Sequence, residues 1–333
     1  MDFHNFDSEM SAEKRISRMF TVAKAVAILT VISAHITIRT SSVLANFYSA
    51  IGSIGVILFF ISAGYYFKKE HPMVMLKKKS KTVVLPWAIL GTLVYVINTF
   101  LSKGAFGVIS YIEWMLGYKT YLYFVIVLLI CFILFYYNNI VTQICAVLVT
   151  ATSLILTNLG ILDKVLETLH ITNYQNVFNW VGFFALGLLL RRTKPQILFN
   201  IIKRTREVAL ILSAIATILI SFLGYKVGYF SPLGWLYEIV SVWSILGLCT
   251  YSFMYNKVTV SISETSYAIY LLHMAFVGVL GKIFKIHIIF SIPANLIALA
   301  FTWLLILGMA FVAQKIKLGK LYSTCLGLRE RRT

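Results

Sequence analysis

The feature that most constrains this chain is a series of apolar blocks, each about 20 residues long, separated by short polar stretches. A block of that length in a helix rising ~1.5 Å per residue crosses the ~30 Å hydrocarbon layer of a bilayer. With 59% hydrophobic residues, 13% charged residues and a mean hydropathy of +0.85, no soluble domain of 333 residues could solvate its surface. The sequence therefore predicts an all-α integral membrane protein of about ten spans, at 19–38, 47–67, 82–101, 121–137, 140–158, 176–190, 207–224, 233–253, 262–281 and 290–314. Residues 1–18 form an N-terminal tail, 19–314 the membrane domain and 315–333 a basic C-terminal tail. The first eighteen residues are mixed and polar, so the first apolar block is expected to serve as its own membrane signal.

A net charge of +18 would suggest nucleic acid in a soluble protein, but no polar domain is present to carry such a face. Topology accounts for it better, because loops on the cytoplasmic side retain Lys and Arg. With an even number of spans, one side gathers the basic residues at 14–18, 68–81, 191–206, 257 and 315–332. The other holds Lys103, Lys119, Lys164, Lys226, Lys282 and Lys285, with Arg39 at its edge. Both termini are thus expected in the cytoplasm of a cell that keeps this protein in its plasma or inner membrane. The Lys68–Lys81 loop reads as topology control and attraction to anionic lipid, or as a phosphate-binding lip. Residues 191–206 read as a short amphipathic surface helix. Cys131, Cys145, Cys249 and Cys325 lack metal-ligand spacing, so no metal is expected.

Titratable side chains at membrane depth are costly and mark function. The first helix holds Lys24 and His35, the eighth Glu238, the ninth His273, and Glu113 sits just before the fourth. Lys24 and His35 are eleven residues apart, so they share a helix face about 16 Å apart along the axis. Glu238 is expected in the same outer layer as His35, where a carboxylate holding one ring nitrogen makes the other a better base. Each has a plainer reading: Lys24 snorkelling to headgroups, the histidines bridging helices, Glu238 bonding structurally near an interface.

These residues fall in recognisable motifs. Lys24–His35, KAVAILTVISAH, resembles the first helix of the membrane acyltransferase family 3, where a basic residue, usually arginine, and a histidine flank ten mostly apolar residues. Gly55–Tyr65, GVILFFISAGY, resembles that family's second-helix pattern, with Ala63 where glycine is common, and Ser266–His273, SYAIYLLH, its late motif. With no soluble domain after residue 320, the likeness is to stand-alone members. It implies transfer of an acyl group, most often acetyl, from cytoplasmic acyl-CoA to a hydroxyl of a surface polysaccharide, glycolipid or lipid-linked sugar. On that reading Lys24, Lys77, Lys78 and Lys81 hold the CoA phosphates. His35 is the base, Glu238 or Glu113 orients it, and Ser266, Tyr267, Tyr270 and His273 line the tunnel or stabilise the oxyanion. No permanently bound cofactor is implied; membrane lipid, acyl-CoA and sugar are the partners. The alternative is a small-solute exporter of related fold, whose sign would be paired Gly or Pro breaks in two halves. Pro86, Pro195, Pro232 and Pro293 do not pair in that way.

Overall fold

A computed structural model describes residues 10–36, 42–224, 230, 234–283 and 291–328. Arg39, Lys226, Lys285, Arg329, Arg331 and Arg332, part of the charge pattern, lie outside them. Among the described residues the fold is all helical: α1 (Ala12–Ala34), α2 (Ser42–Tyr65), α3 (Pro72–Lys79), α4 (Leu85–Ser102), α5 (Val108–Met115), α6 (Tyr123–Leu134) and α7 (Ile140–Asn158). There follow α8 (Asp163–Thr168), α9 (Val181–Arg192), α10 (Pro195–Leu223), α11 (Gly234–Leu248), α12 (Lys257–Ile283), α13 (Ser291–Lys315) and α14 (Gly319–Cys325). Each segment expected to span coincides with one of these. Among the described residues six helical stretches are long and apolar enough to cross a membrane, and the apolar helices at Tyr123–Tyr137 and Gly234–Leu248 are shorter.

Two boundaries differ from expectation. The basic stretch 191–206 is no separate surface helix, because α10 runs unbroken for 29 residues from Pro195. Proline at a helix start loses no intrahelical bond, Lys203 and Arg204 stay exposed, and Arg206 bonds at the helix edge, its Nε to Glu207 at 3.0 Å and its Nη1 to Thr250 at 3.2 Å. Likewise Lys77, Lys78 and Lys81 are helical rather than looped. The α3 helix passes through a π turn at Ser80–Val84 into α4, a 31-residue apolar stretch from Pro72 to Ser102. Pro86 lacks the N–H that would close the regular ladder there, and the Tyr267 hydroxyl donates to the Val83 carbonyl at 2.9 Å. The turn at Asn138 and Asn139 behaves as its composition suggests: Asn139 and Thr142 form a reciprocal capping box that starts α7.

Side-chain bonds sort the helix ends into two sets. At one end Arg15 (α1 start) donates to Gln196 (α10 start), Arg192 (α9 end) to Gln143 (α7 start), Arg191 to the Phe67 carbonyl just past α2, and Arg18 lies over the Tyr255 ring just before α12. At the other, Asn295 (α13 start) donates to Ser33 (α1 end) at 2.8 Å and Asn46 (α2 start) to the Ser221 carbonyl (α10 end). The consecutive helices α1 and α2, α9 and α10, and α12 and α13 thus run in opposite directions, and these basic residues collect at one end.

The core lies where α2 packs on α1 and α9. A Cβ at Gly55 would collide with the Ala27 carbonyl and Val31, and one at Gly64 or Gly187 with backbone of the facing helix. In lipid, where helices gain little from burying apolar surface, close backbone approach at small residues supplies the packing energy. Gly187→Leu is expected to cost at least 1–3 kcal/mol of overpacking, read as a lower thermal midpoint of the detergent-purified protein. Asn139→Ala removes the α7 cap and is expected to cost about 1 kcal/mol in the same measurement.

Candidate functional site

The α1 helix ends at His35, whose N–H closes the last turn on the Ile32 carbonyl at 3.0 Å. Its ring hangs past the helix into a cavity of about 830 Å³ at the end of the bundle opposite the basic end. Val31, one turn back, and Val56 form the floor with Tyr121, Tyr123 and Tyr270. Tyr174 and Phe230 form a side wall, and exposed Lys119, Asp163 and Glu167 stand among the lining residues at the rim. Aromatic walls with a few polar groups suit a ligand that offers both ring faces and hydroxyls.

His35 is half-buried, its surroundings formed by two rings. Tyr121 lies edge-on with centroids 6.2 Å apart, and His273 is tilted at 5.1 Å. His273 is fully buried on α12, and its Nδ1 lies 2.6 Å from the Tyr270 carbonyl oxygen. A clasp joins this part of α12 to the segment before α6: Tyr121 donates to the Leu271 carbonyl at 2.6 Å, and Tyr270 donates back to the Tyr121 carbonyl.

The late motif is therefore close to His35, but not in the form expected. A hydroxyl has one hydrogen to give, and those of Ser266, Tyr267 and Tyr270 go to the carbonyls of Ser263, Val83 and Tyr121. None is left to stabilise an oxyanion. Tyr270 lines the cavity, Tyr267 fastens α12 to the turn before α4, and Ser266 bonds back within its own helix.

Neither carboxylate stands beside His35. Glu113 is exposed on α5 and does not line the cavity. Glu238 is buried on α11, within hydrogen-bonding contact of Ser53 on α2, and its field reaches Tyr123 and Tyr174. It thus sits behind the cavity wall, with Oε1 unpaired among the described residues. It is not among the residues that line the cavity.

The cavity that His35 lines does not extend to Lys24, the other end of the single passage expected. Lys24 is half-buried and does not line the cavity. Below Val31 and Val56 come Ala27, Ile28 and Phe60, all fully buried, with the Phe60 ring 4.8 Å from Phe124 and Phe124 5.2 Å from Tyr270. At the basic end Lys77 and Lys81 are exposed. Lys78 is engaged with Glu70 at 2.6 Å, and Lys79 lies 3.7 Å over the Phe132 ring.

Sequence reasoning passed over Tyr121, Tyr123, Tyr174, Asp163 and Glu167, which sit on or beside connections where no periodicity marks them. The available signal was the density of aromatic and polar side chains in GYKTYLY (117–123) and ITNYQN (171–176).

No curated protein and no solved structure matches the chain. A family model described as an acyltransferase domain matches residues 20–313, from α1 through almost all of α13 and including every residue around His35. The chain belongs to the membrane acyltransferase family 3.

Proposed function

We propose that this protein is an O-acyltransferase that moves an acyl group, acetyl in the first instance, from acyl-CoA at the basic end to a hydroxyl of a cell-surface polysaccharide, glycolipid or lipid-linked sugar held in the cavity. The observation that carries this reading is the position of His35, on the floor of an aromatic cavity at the end opposite the basic residues. By the charge rule that cavity faces away from the cytoplasm of a plasma or inner membrane.

The chemistry follows from where the groups sit. His35 takes the proton of the acceptor hydroxyl as its oxygen attacks the thioester carbonyl. The carbon–sulfur bond breaks, and the CoA thiolate leaves with the proton returned by His35. Products are the ester and free CoA, with no redox change and no group left over. Lys77 and Lys81 are the exposed cations suited to CoA phosphates, and Lys24 stands deeper on the route to His35. For the acyl arm to arrive, the rings of Phe60, Phe124 and Tyr270 must part.

Membranes supplied with radiolabelled acetyl-CoA are expected to acquire label on glycan or lipid-linked sugar. His35→Ala, at matched protein level, is expected to lower that rate by about 10²–10⁴-fold. Equal labelling by wild type and variant would remove His35 as the base. At the donor end, Lys77→Glu and Lys81→Glu are expected to raise the KM for acetyl-CoA several-fold at low salt. The effect should shrink as ionic strength rises, since exposed charges are screened. Lys78→Glu should do less than either, because that ammonium is already engaged with Glu70.

A further inference from the structure

We infer that His273 is a positioning residue for His35: its Nε2 accepts the ring N–H of His35 that points away from the cavity, so the base is a pair of histidines without a carboxylate. This rests on the proposed role of His35, and the experiment below separates the two.

The neighbour of His273 fixes which of its ring nitrogens carries the hydrogen. Its Nδ1 is 2.6 Å from the Tyr270 carbonyl oxygen, and a carbonyl only accepts, so Nδ1 carries the hydrogen. In the neutral ring Nε2 is then a bare acceptor. It is buried and has no hydrogen-bond partner among the described residues, an uncommon state for a polar atom shut away from water.

Of the rings that touch His273 among the described residues, one has a hydrogen left to give to that vacant acceptor. Tyr121, centroid 5.0 Å away, gives its hydrogen to Leu271, and Tyr270, at 5.9 Å, gives its hydrogen to the Tyr121 carbonyl. The remaining ring is His35, at 5.1 Å and tilted 44°. Two imidazoles at that spacing, turned nitrogen toward nitrogen, bring the two atoms to roughly 3 Å, a normal N–H···N distance. The bond requires rotation of the His35 side chain, which ends its helix and borders the cavity.

The consequence for catalysis is a fixed tautomer. With its inward nitrogen donating to His273, His35 presents a bare nitrogen to the cavity, the form that can take a hydroxyl proton. When His35 is protonated, the N–H···N bond spreads the charge onto His273. The transferred proton stays on His35 until the thiolate takes it, and His273 keeps its own Nδ1 hydrogen throughout. A carboxylate would serve the same purpose, but Glu113 is exposed and Glu238 lies behind the Tyr123 wall.

Two amide substitutions divide the functions of the ring. His273→Asn can keep the donor to the Tyr270 carbonyl and offers no acceptor at the Nε2 position; His273→Gln places Oε1 there. Transfer from radiolabelled acetyl-CoA is measured in membranes at matched protein levels, with thermal midpoints of the purified variants alongside. His273→Asn is expected to lower kcat about 10²-fold with the KM for acetyl-CoA within about 3-fold, while His273→Gln retains activity within about 10-fold of wild type. In a His35→Ala background, His273→Asn should cost almost nothing more, since a residue acting through His35 has nothing left to act on. Wild-type kcat in His273→Asn, equal losses in the Asn and Gln variants, or losses that multiply in the double variant would each overturn the pairing. If His35→Ala itself retained full activity, the base assignment would fall instead.

Discussion

Hydrocarbon offers no hydrogen-bond partner, and the interior of this bundle is arranged around that fact. Tyr267 reaches across to the π turn before α4, Tyr121 and Tyr270 exchange bonds with each other's backbone, and Asn295 closes on Ser33. The hydroxyl hydrogens of the late motif are all given to backbone carbonyls, those of the two tyrosines to other parts of the bundle and that of Ser266 to its own helix. Against that background the exceptions become informative. Two of them, Glu238 Oε1 and His273 Nε2, are buried and unpaired among the described residues. The first backs the tyrosines that shape the cavity; the second backs the histidine that would act in it.

Much of the bundle was legible because apolar length and turn chemistry are local. The 140–158 span coincides with α7, since Asn138 and Asn139 both end one helix and cap the next. The start of α10 was misplaced by the basic residues between Pro195 and Arg206, because hydropathy registers the cost of burying charge and not the continuity of a backbone whose charged side chains stay exposed or bond at the edge. Lysines 77 to 81 were read as a loop for the same reason. His35 and His273 stood out as polar groups at depth, yet their pairing depends on how α1 and α12 meet, which neither sequence segment encodes alone. Glu238 shows the limit most clearly. Counting residues along a helix gives its height in the membrane, and nothing in that count gives the direction it faces within the bundle.

The second-helix motif gains a physical meaning from the packing. Gly55 and Gly64 are where α2 meets backbone, on α1 in one case and on α9 in the other, so the pattern encodes two close helix crossings on one element. Ala63, which departs from the family's common glycine, is next to that contact and not in it. The crossing at Gly55 sets the height at which Val31 and Val56 floor the cavity, and so the depth at which His35 is presented.

That rigidity bears on how a donor could meet His35. Transporters of alternating access rock one packed half against another about a central site. Here α2 is locked to both α1 and α9 by backbone contacts that leave no room for a methyl group, so separating them would forfeit packing on both sides at once. What lies between the basic end and the cavity is instead a set of side chains, the Phe60, Phe124 and Tyr270 rings over Ala27 and Ile28. Phe60 and Phe124 hold no hydrogen bonds and can turn aside within their own rotamers at far smaller cost than a helix can move. A thin flexible arm with a reactive end can pass such a constriction while its charged head stays among the lysines; a solute carried whole across the membrane cannot. The bundle is therefore better matched to passing a group between two molecules held at opposite ends than to passing a molecule through.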